Sequence, residues 1–344
     1  MKVNPLHPPR FLGAPLGRAG FKQQLEDFQV EEVLGFEPSG EGEHCCLWVE
    51  KTDWNSNDVA AHFARCLGIR ARLVSHCGQK DRHAVTRQWF GIHLPGEASP
   101  EPEILEAEGI RILRTARNGR KLRRGSHDGN RFVIRLRDCD GERAEIESRW
   151  AKIVETGVPN YFGPQRFGKR QDNVQQAERL FSGAYDVRDR NLRGLLISAA
   201  RSYLFNAVIA ERVAAGTWNR PLDGEVYGFA ANRSLILPHN CRGDEPERFA
   251  EGQIELTAPL WGQGDLLSES AVFELENAIG GQHGALAAGL EQLGLRQERR
   301  VIRLKPGRPQ FSWEDERDLV LRFDLPKGTF ATTVLRELVD LEES

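Results

Sequence analysis

Two periods of apolar spacing run through this chain and divide it into regions. Phe132, Ile134 and Leu136 alternate with charged or polar neighbours, which predicts a half-buried strand over Arg131–Arg137. Stretches from Phe28 to Phe36, Cys45 to Glu50 and Gln88 to Leu94 also read as strands, with Pro38–Glu43 connecting the first two. Val59, Phe63 and Leu67 fall on one helical face and predict a helix over Asn57–Leu67, capped by Ser56 or Asn57. After about residue 155 helical spacing dominates. Asn173–Phe181 and Arg193–Thr217 read as helices, the second through Leu195, Leu196, Ala199, Leu204, Val208 and Ile209. Arg220–Leu266 is punctuated by Gly and Pro, Val272–Leu295 returns to helix, and strand-like alternation resumes from Val301 through Val320, Arg322 and Asp324. A β, mixed, β order predicts an α+β protein with an inserted domain, the last strands returning to complete the first sheet.

Composition changes that picture only in places. A chain of 344 residues is long enough for two domains, and its formal net charge of −3 gives no general case for a polyanion partner. The charge is segregated, however. From Arg111 to Arg137 there are ten Lys or Arg against Asp128 alone, and from Asp244 to Glu276 nine acids against Arg248 alone. Such a basic tract is either a solvated face or a local track for nucleic acid. The six cysteines form no C-x-x-C pair and no zinc spacing. No signal-peptide core opens the chain and no apolar run approaches membrane length. A reduced, cytoplasmic protein without metal or cofactor is expected, and no oligomer is implied.

Candidate chemistry concentrates in Gly78-Gln79-Lys80-Asp81-Arg82-His83-Ala84-Val85-Thr86. A carboxylate between two cations, next to a glycine and between two apolar segments, reads on spacing alone as a solvated turn. Its other use is covalent: a charged, well-positioned carboxylate is a nucleophile for a sugar carbon. Lys22 leads into Leu25-Glu26-Asp27-Phe28-Gln29-Val30-Glu31-Glu32, and Gly125-Ser126-His127-Asp128-Gly129-Asn130-Arg131-Phe132 closes the basic tract. Pro159-Asn160-Tyr161-Phe162-Gly163-Pro164-Gln165-Arg166-Phe167-Gly168 and Leu325-Pro326-Lys327-Gly328-Thr329-Phe330 through Glu337 follow.

In that order these stretches resemble the motifs of the TruD family of tRNA pseudouridine synthases, with Leu25 where the family usually has proline. The resemblance implies a pseudouridine-synthase catalytic fold, a mixed and largely antiparallel sheet flanked by helices, interrupted by an inserted α/β domain particular to TruD. The boundaries it suggests are 1–155 with 304–344 for the catalytic domain and 156–303 for the insertion. It implies Asp81 as nucleophile, Phe28, Asn130 and Phe330 around the uridine, tRNA as partner, and uridine-13 in the D arm of a glutamate-accepting tRNA as target. Attack on the sugar and attack on the base both fit the sequence.

Each of these residues has a plainer reading. Phe28 and Phe330 can be core plugs, Asn130 a turn residue after Gly129, although its amide also offers a donor and an acceptor for a uracil edge. A flipped base needs an aromatic face. His127 in its glycine turn carries little weight as an acid–base group. For the counter-ion of Asp81 two lysines compete. Lys80, adjacent in a strand, would point to the opposite face, so Lys22 is the expected partner and Lys80 a phosphate or supporting residue. The segment from Tyr161 to Phe167 suits either base stacking with phosphate contact or a packed hinge. Arg120, Lys121, Arg123 and Arg124 are the expected heart of an RNA track. Two other classes stay open: a hydrolase of the N-glycosidic bond, which would want a second carboxylate, and an RNA-binding protein without catalysis, which leaves Asp81 without a purpose.

Overall fold

The computed structural model describes residues 3–229, 232 and 234–343. Met1 and Lys2 of the opening segment, three positions of the Gly/Pro-punctuated stretch and the last residue lie outside the described residues. The chain divides into two compact units. One comprises Pro15–Glu147, Pro306–Ala331 and Leu338–Ser344; the other comprises Met1–Ala14, Ser148–Lys305 and Thr332–Glu337.

The first unit is built on one ten-stranded sheet. Its early strands are β1 (Arg18–Phe21), β2 (Phe28–Val33), β3 (His44–Thr52), β4 (Val74–His76), β5 (Val85–His93), β6 (Ile110–Asn118) and β7 (Gly129–Arg137). The main path runs from the Gly307–Trp313 strand through Leu319–Pro326 to β7, β2, β5, β3 and β6. Among the described residues of this sheet, only β2 with β5 and β1 with Asp340–Glu343 pair in parallel; the other pairs are antiparallel. The returning C-terminal strands do complete the sheet: Leu319–Pro326 pairs along β7, Leu325 opposite Asn130.

The alternation that predicts these strands is the one that buries them. Phe28 and Val30 face the core while Gln29 and Glu31 stay half-exposed, and Phe132, Ile134 and Leu136 do the same on β7. On the other side of the central strands, Cys45, Leu47, Val49, Phe90 and Ile92 pack against Val59 and Phe63 of the Ser56–Cys66 helix. That helix begins one residue earlier than its spacing predicts. Its N-cap is Asn55, whose side chain bonds the Asp58 carboxylate, so neither Ser56 nor Asn57 caps it. The β6 strand has no counterpart in the sequence reading, because Arg111, Arg114 and Arg117 interrupt its apolar pattern.

The second unit carries the Asn173–Phe181 helix, as predicted, and a 25-residue helix at Arg190–Ala214, started by Asp189 accepting from the Asn191 and Leu192 amides. The single helix expected at Val272–Leu295 is two, Ser270–Gln282 and Gly284–Gln292, because His283 leaves helical geometry between glycine-rich ends. A helix over Arg143–Thr156, also unpredicted, runs in sequence from the first unit into the second at Glu147–Ser148, and its Ile146, Trp150 and Ile153 are buried. Of the acids from Asp244 to Glu276, Glu245, Glu255 and Glu276 are buried, and two of these neutralise interior arginines: Glu255 pairs with Arg303 at 2.7 Å and Glu276 with Arg299 at 2.6 Å.

Candidate active site

Asp81 lies in the irregular segment between β4 and β5, not in a strand. Its carboxylate is 43 % exposed, and Lys22 Nζ stands 3.4 Å from Oδ1. Lys22 reaches it from the end of β1 with a left-handed backbone, φ 57°, a conformation that costs energy for a long side chain and is typical of functional positions. His83 Nε2 bonds the Lys22 carbonyl at 3.0 Å, tying the two segments together. The same ammonium sits 4.1 Å from the centre of the Phe28 ring. Phe28 is buried and meets Phe21 edge-on at 5.5 Å and Phe132 at 5.9 Å. Lys22, Phe28 and Asp81 therefore come together around one ammonium group.

Lys80 does not join them. Its side chain is 4 % exposed and its Nζ pairs with Glu32 Oε2 at 2.8 Å, the glutamate being wholly buried. That placement fits a supporting role and leaves no surface for a phosphate contact. Because Lys80 sits in a loop, the alternation argument that set it aside does not apply to it; burial against Glu32 removes it instead. Glu32 occupies a core-facing position of β2, where an apolar residue is expected, and its second oxygen accepts the Trp89 amide at 3.2 Å. A buried carboxylate needs such partners. Ser56 extends the support: its hydroxyl accepts the Lys80 amide at 3.0 Å and donates to Gln88 at 2.6 Å.

The backbone of Asp81 is anchored by a residue that sequence reasoning missed. Lys51, on β3 and fully buried, donates from Nζ to the Asp81 carbonyl at 2.8 Å and to the Trp54 carbonyl at 2.6 Å. Burial lowers its pKa to about 8, against the pull of the Asp81 charge and with a small push from Lys80. Arg82 meanwhile pairs with Asp53 at 3.1 Å. Nothing in the local pattern of β3 marks Lys51 except that a lysine stands at a core-facing position.

Asn130, the second residue of β7, stands opposite Glu32 on one side and Leu325 on the other. Its Oδ1 is buried and accepts no hydrogen bond from any described residue, an uncompensated acceptor of the kind found where a ligand supplies the donor. The loop before it is joined to the C-terminal motif: Lys327 donates its amide to the Asp128 carbonyl at 3.0 Å and its Nζ to the Gly125 carbonyl at 2.7 Å. Phe330 is half-buried, just past Gly328 and at the start of the Ala331–Leu335 helix. His127 is buried beside Lys80 and Lys327, and its pKa falls to about 4 through burial first and those charges second.

The basic tract separates into two parts. Five of its six strand arginines pair with carboxylates: Arg111 with Glu50, Arg114 with Glu37, Arg131 with Glu31 and Asp324, Arg135 with Glu314, Arg137 with Asp27, while Arg117 donates to the Leu94 and Glu97 carbonyls. The loop residues Arg120, Arg123 and Arg124 are exposed and form no ion pair with any described residue, and Lys121 reaches only the Arg72 carbonyl. No group of three or more His, Cys, Asp or Glu side chains placed to hold a metal ion occurs among the described residues, and no helix there is long and apolar enough to cross a membrane. All six cysteines are free.

The sequence profile of the family described as tRNA pseudouridine synthase D (TruD) matches residues 16–180 and 172–338. A protein named tRNA pseudouridine synthase D from Pseudomonas putida (strain W619) is 44 % identical over 333 residues, 97 % of this chain and 94 % of its own. One of the same name from Ectopseudomonas mendocina (strain ymp) is 44 % identical over 334 residues, with the same coverage. Among solved structures, a Methanosarcina mazei protein described as a candidate tRNA pseudouridine synthase D superposes with a TM-score of 0.75 over 95 % of this chain and 94 % of that one; at 22 % identity the likeness speaks for the fold. With a match running through both compact units, the chain belongs to the tRNA pseudouridine synthase D family.

Proposed function

We propose that this chain converts uridine to pseudouridine in tRNA with Asp81 as the nucleophile. The observation that carries the reading is the Lys22–Asp81 pair at 3.4 Å, a part-exposed carboxylate held beside a cation at the end of a rigid strand. The reaction breaks the C1′–N1 bond, turns the uracil and joins C1′ to C5; the proton lost from C5 is balanced by one gained at N1. No electrons are exchanged with an outside group. Lys22 stabilises the charged carboxylate before attack. Asn130 Oδ1 accepts the uracil N3–H and its amide donates to a uracil carbonyl, which satisfies the buried acceptor. Phe330 and the Phe28 edge close the apolar side of the base. A base inside a folded tRNA must leave its stack to reach Asp81.

The target in this reading is uridine-13 in the D arm of a glutamate-accepting tRNA, the substrate the family resemblance implies. The residues near 1–155 and 304–344, which include Asp81, Lys22, Asn130 and Phe330, are read as the catalytic domain and the stretch near 156–303 as the insertion; the compact unit holding those four residues is narrower, Pro15–Glu147 with Pro306–Ala331 and Leu338–Ser344. The exposed loop from Arg120 to Arg124 is read as part of the RNA track.

Chromatography of nucleosides from tRNA treated with the purified chain tests this. Pseudouridine without free uracil is the expected product, and Asp81→Asn should lose turnover by several orders of magnitude while keeping tRNA affinity. Released uracil would instead make the chain a hydrolase. Binding with no product would make it an RNA-binding module.

A further inference from the structure

In the second unit, the Pro159–Gly168 stretch builds a fixed aromatic platform. Asn206, fully buried, accepts the Phe162 amide at 2.8 Å and donates to the Phe162 carbonyl at 3.0 Å. Asn160 is pinned likewise, its amide to the Ile302 carbonyl at 2.8 Å and its Nδ2 to the Val301 carbonyl at 2.9 Å. Two guanidinium groups share the Phe162 ring between them: Arg300 lies 4.4 Å and Arg166 5.5 Å from its centre. Arg300 donates to Asn160 Oδ1 at 2.9 Å, and Arg166 to the Ser198 hydroxyl at 3.1 Å.

Interior arginines elsewhere in this unit are treated differently. Arg212 has Glu225 at 2.6 Å, Arg299 has Glu276 at 2.6 Å and Arg303 has Glu255 at 2.7 Å. Arg166 forms no ion pair with any described residue, and its Nε is buried without an acceptor among them. A desolvated cation of this kind is costly, and a second cation on the same ring adds repulsion. Cation–π attraction offsets only part of that. Burial and the Arg166 charge together lower the Arg300 pKa to about 10, and burial lowers that of Arg166. The Arg300 shift follows from burial first and the nearby like charge second, the Arg166 shift from burial alone.

We propose that Arg166 and Arg300, set by Phe162, form a binding site for a backbone phosphodiester of the RNA substrate. The planar fork of arginine matches phosphate oxygens in pairs, and the phosphate supplies to Arg166 the negative charge that the glutamates supply to the neighbouring arginines. The proposal rests on the tRNA reading above. It adds a second RNA-binding region, distinct in sequence from the Arg120–Arg124 loop.

Fluorescence anisotropy of labelled tRNA with the full-length chain, titrated between about 50 and 200 mM salt, reads the site out. Arg166→Gln should weaken binding about tenfold at low salt, as for removal of one charged hydrogen-bonding group. The slope of log affinity against log salt should fall by roughly 0.7–0.9, the share of one phosphate. Arg166→Lys should keep the slope, because the charge remains, and lose several-fold in affinity, because the fork is gone. A folded Arg166→Gln protein with wild-type affinity and slope overturns the proposal. Should that variant not fold, Arg166→Lys decides alone, and wild-type affinity there overturns it too. Failure of the tRNA reading looks different: the unmodified chain would then neither bind tRNA with a salt-dependent affinity nor make pseudouridine.

Discussion

Lys51 holds Asp81 by its backbone: the buried ammonium donates to the Asp81 carbonyl at 2.8 Å while the carboxylate stands clear beside Lys22. The side chain proposed as nucleophile and the backbone atom that fixes its position are thus served by different lysines. Lys51→Met keeps the volume and removes both donated bonds. We expect kcat to fall by about tenfold to a hundredfold, the effect of a reacting group displaced by an ångström or less, with KM for tRNA little changed. Single-turnover rates beside a thermal melt check this. A variant that melts like wild type and reacts at its rate would make the anchor dispensable.

Phe28 and Phe330 should separate from each other. Phe28 is buried among Phe21, Phe132 and the Lys22 ammonium, so Phe28→Ala should cost about 3–5 kcal/mol of stability as a core truncation. Phe330 is half-buried, and Phe330→Ala should leave stability nearly intact while slowing catalysis about tenfold to a hundredfold, the worth of one stacked base. Urea unfolding and turnover of the two variants provide the comparison. Equal losses of stability would make both residues core plugs.

The loop from Arg120 to Arg124 should carry RNA affinity that the flanking strands do not. Alanine at Arg120, Lys121, Arg123 and Arg124 should weaken tRNA binding at low salt. The salt slope should drop by roughly 0.7–0.9 for each phosphate that the loop no longer neutralises. Alanine at Arg111 and Arg114, which Glu50 and Glu37 already neutralise, should change the slope little. Identical slopes for the two sets would place the track elsewhere.

Much of this site is legible in the sequence because its residues lie in short motifs, each held by local backbone geometry. Lys22, Phe28 and Asp81 are readable in that way, and so is the return of the last strands, since alternation in Val320 and Arg322 announces a strand. Long-range pairing inside the core is not readable. Glu32 and Lys80 find each other across 48 positions, and each alone looks like a surface charge. The β6 strand hides for the same reason, with Arg111 and Arg114 paired with glutamates of β3 and of the loop before it. The Arg143–Thr156 helix does offer a repeat in Ile146, Trp150 and Ile153, diluted by the charges between them.

His127 gives the site an acid sensitivity whose sign is fixed by its surroundings. Its pKa drops to about 4 from the ordinary 6.5, chiefly through burial, then through Lys80 and Lys327, against the weaker opposing pull of Asp128 and a bond to the Cys77 backbone. The folded protein thus keeps this imidazole neutral where the unfolded chain takes up a proton. Between those two values the unfolded state binds more protons, so stability rises with pH across the interval and is lost as pH falls from about 6.5 towards 4. His127→Gln removes the titration and should flatten that part of the profile, leaving the variant less acid-sensitive than wild type although not more stable at neutral pH. Urea midpoints measured at several values across the interval, for both proteins, provide the check. Parallel profiles would mean that other groups carry the acid response and that His127 is charged no more readily in the unfolded chain than in the fold.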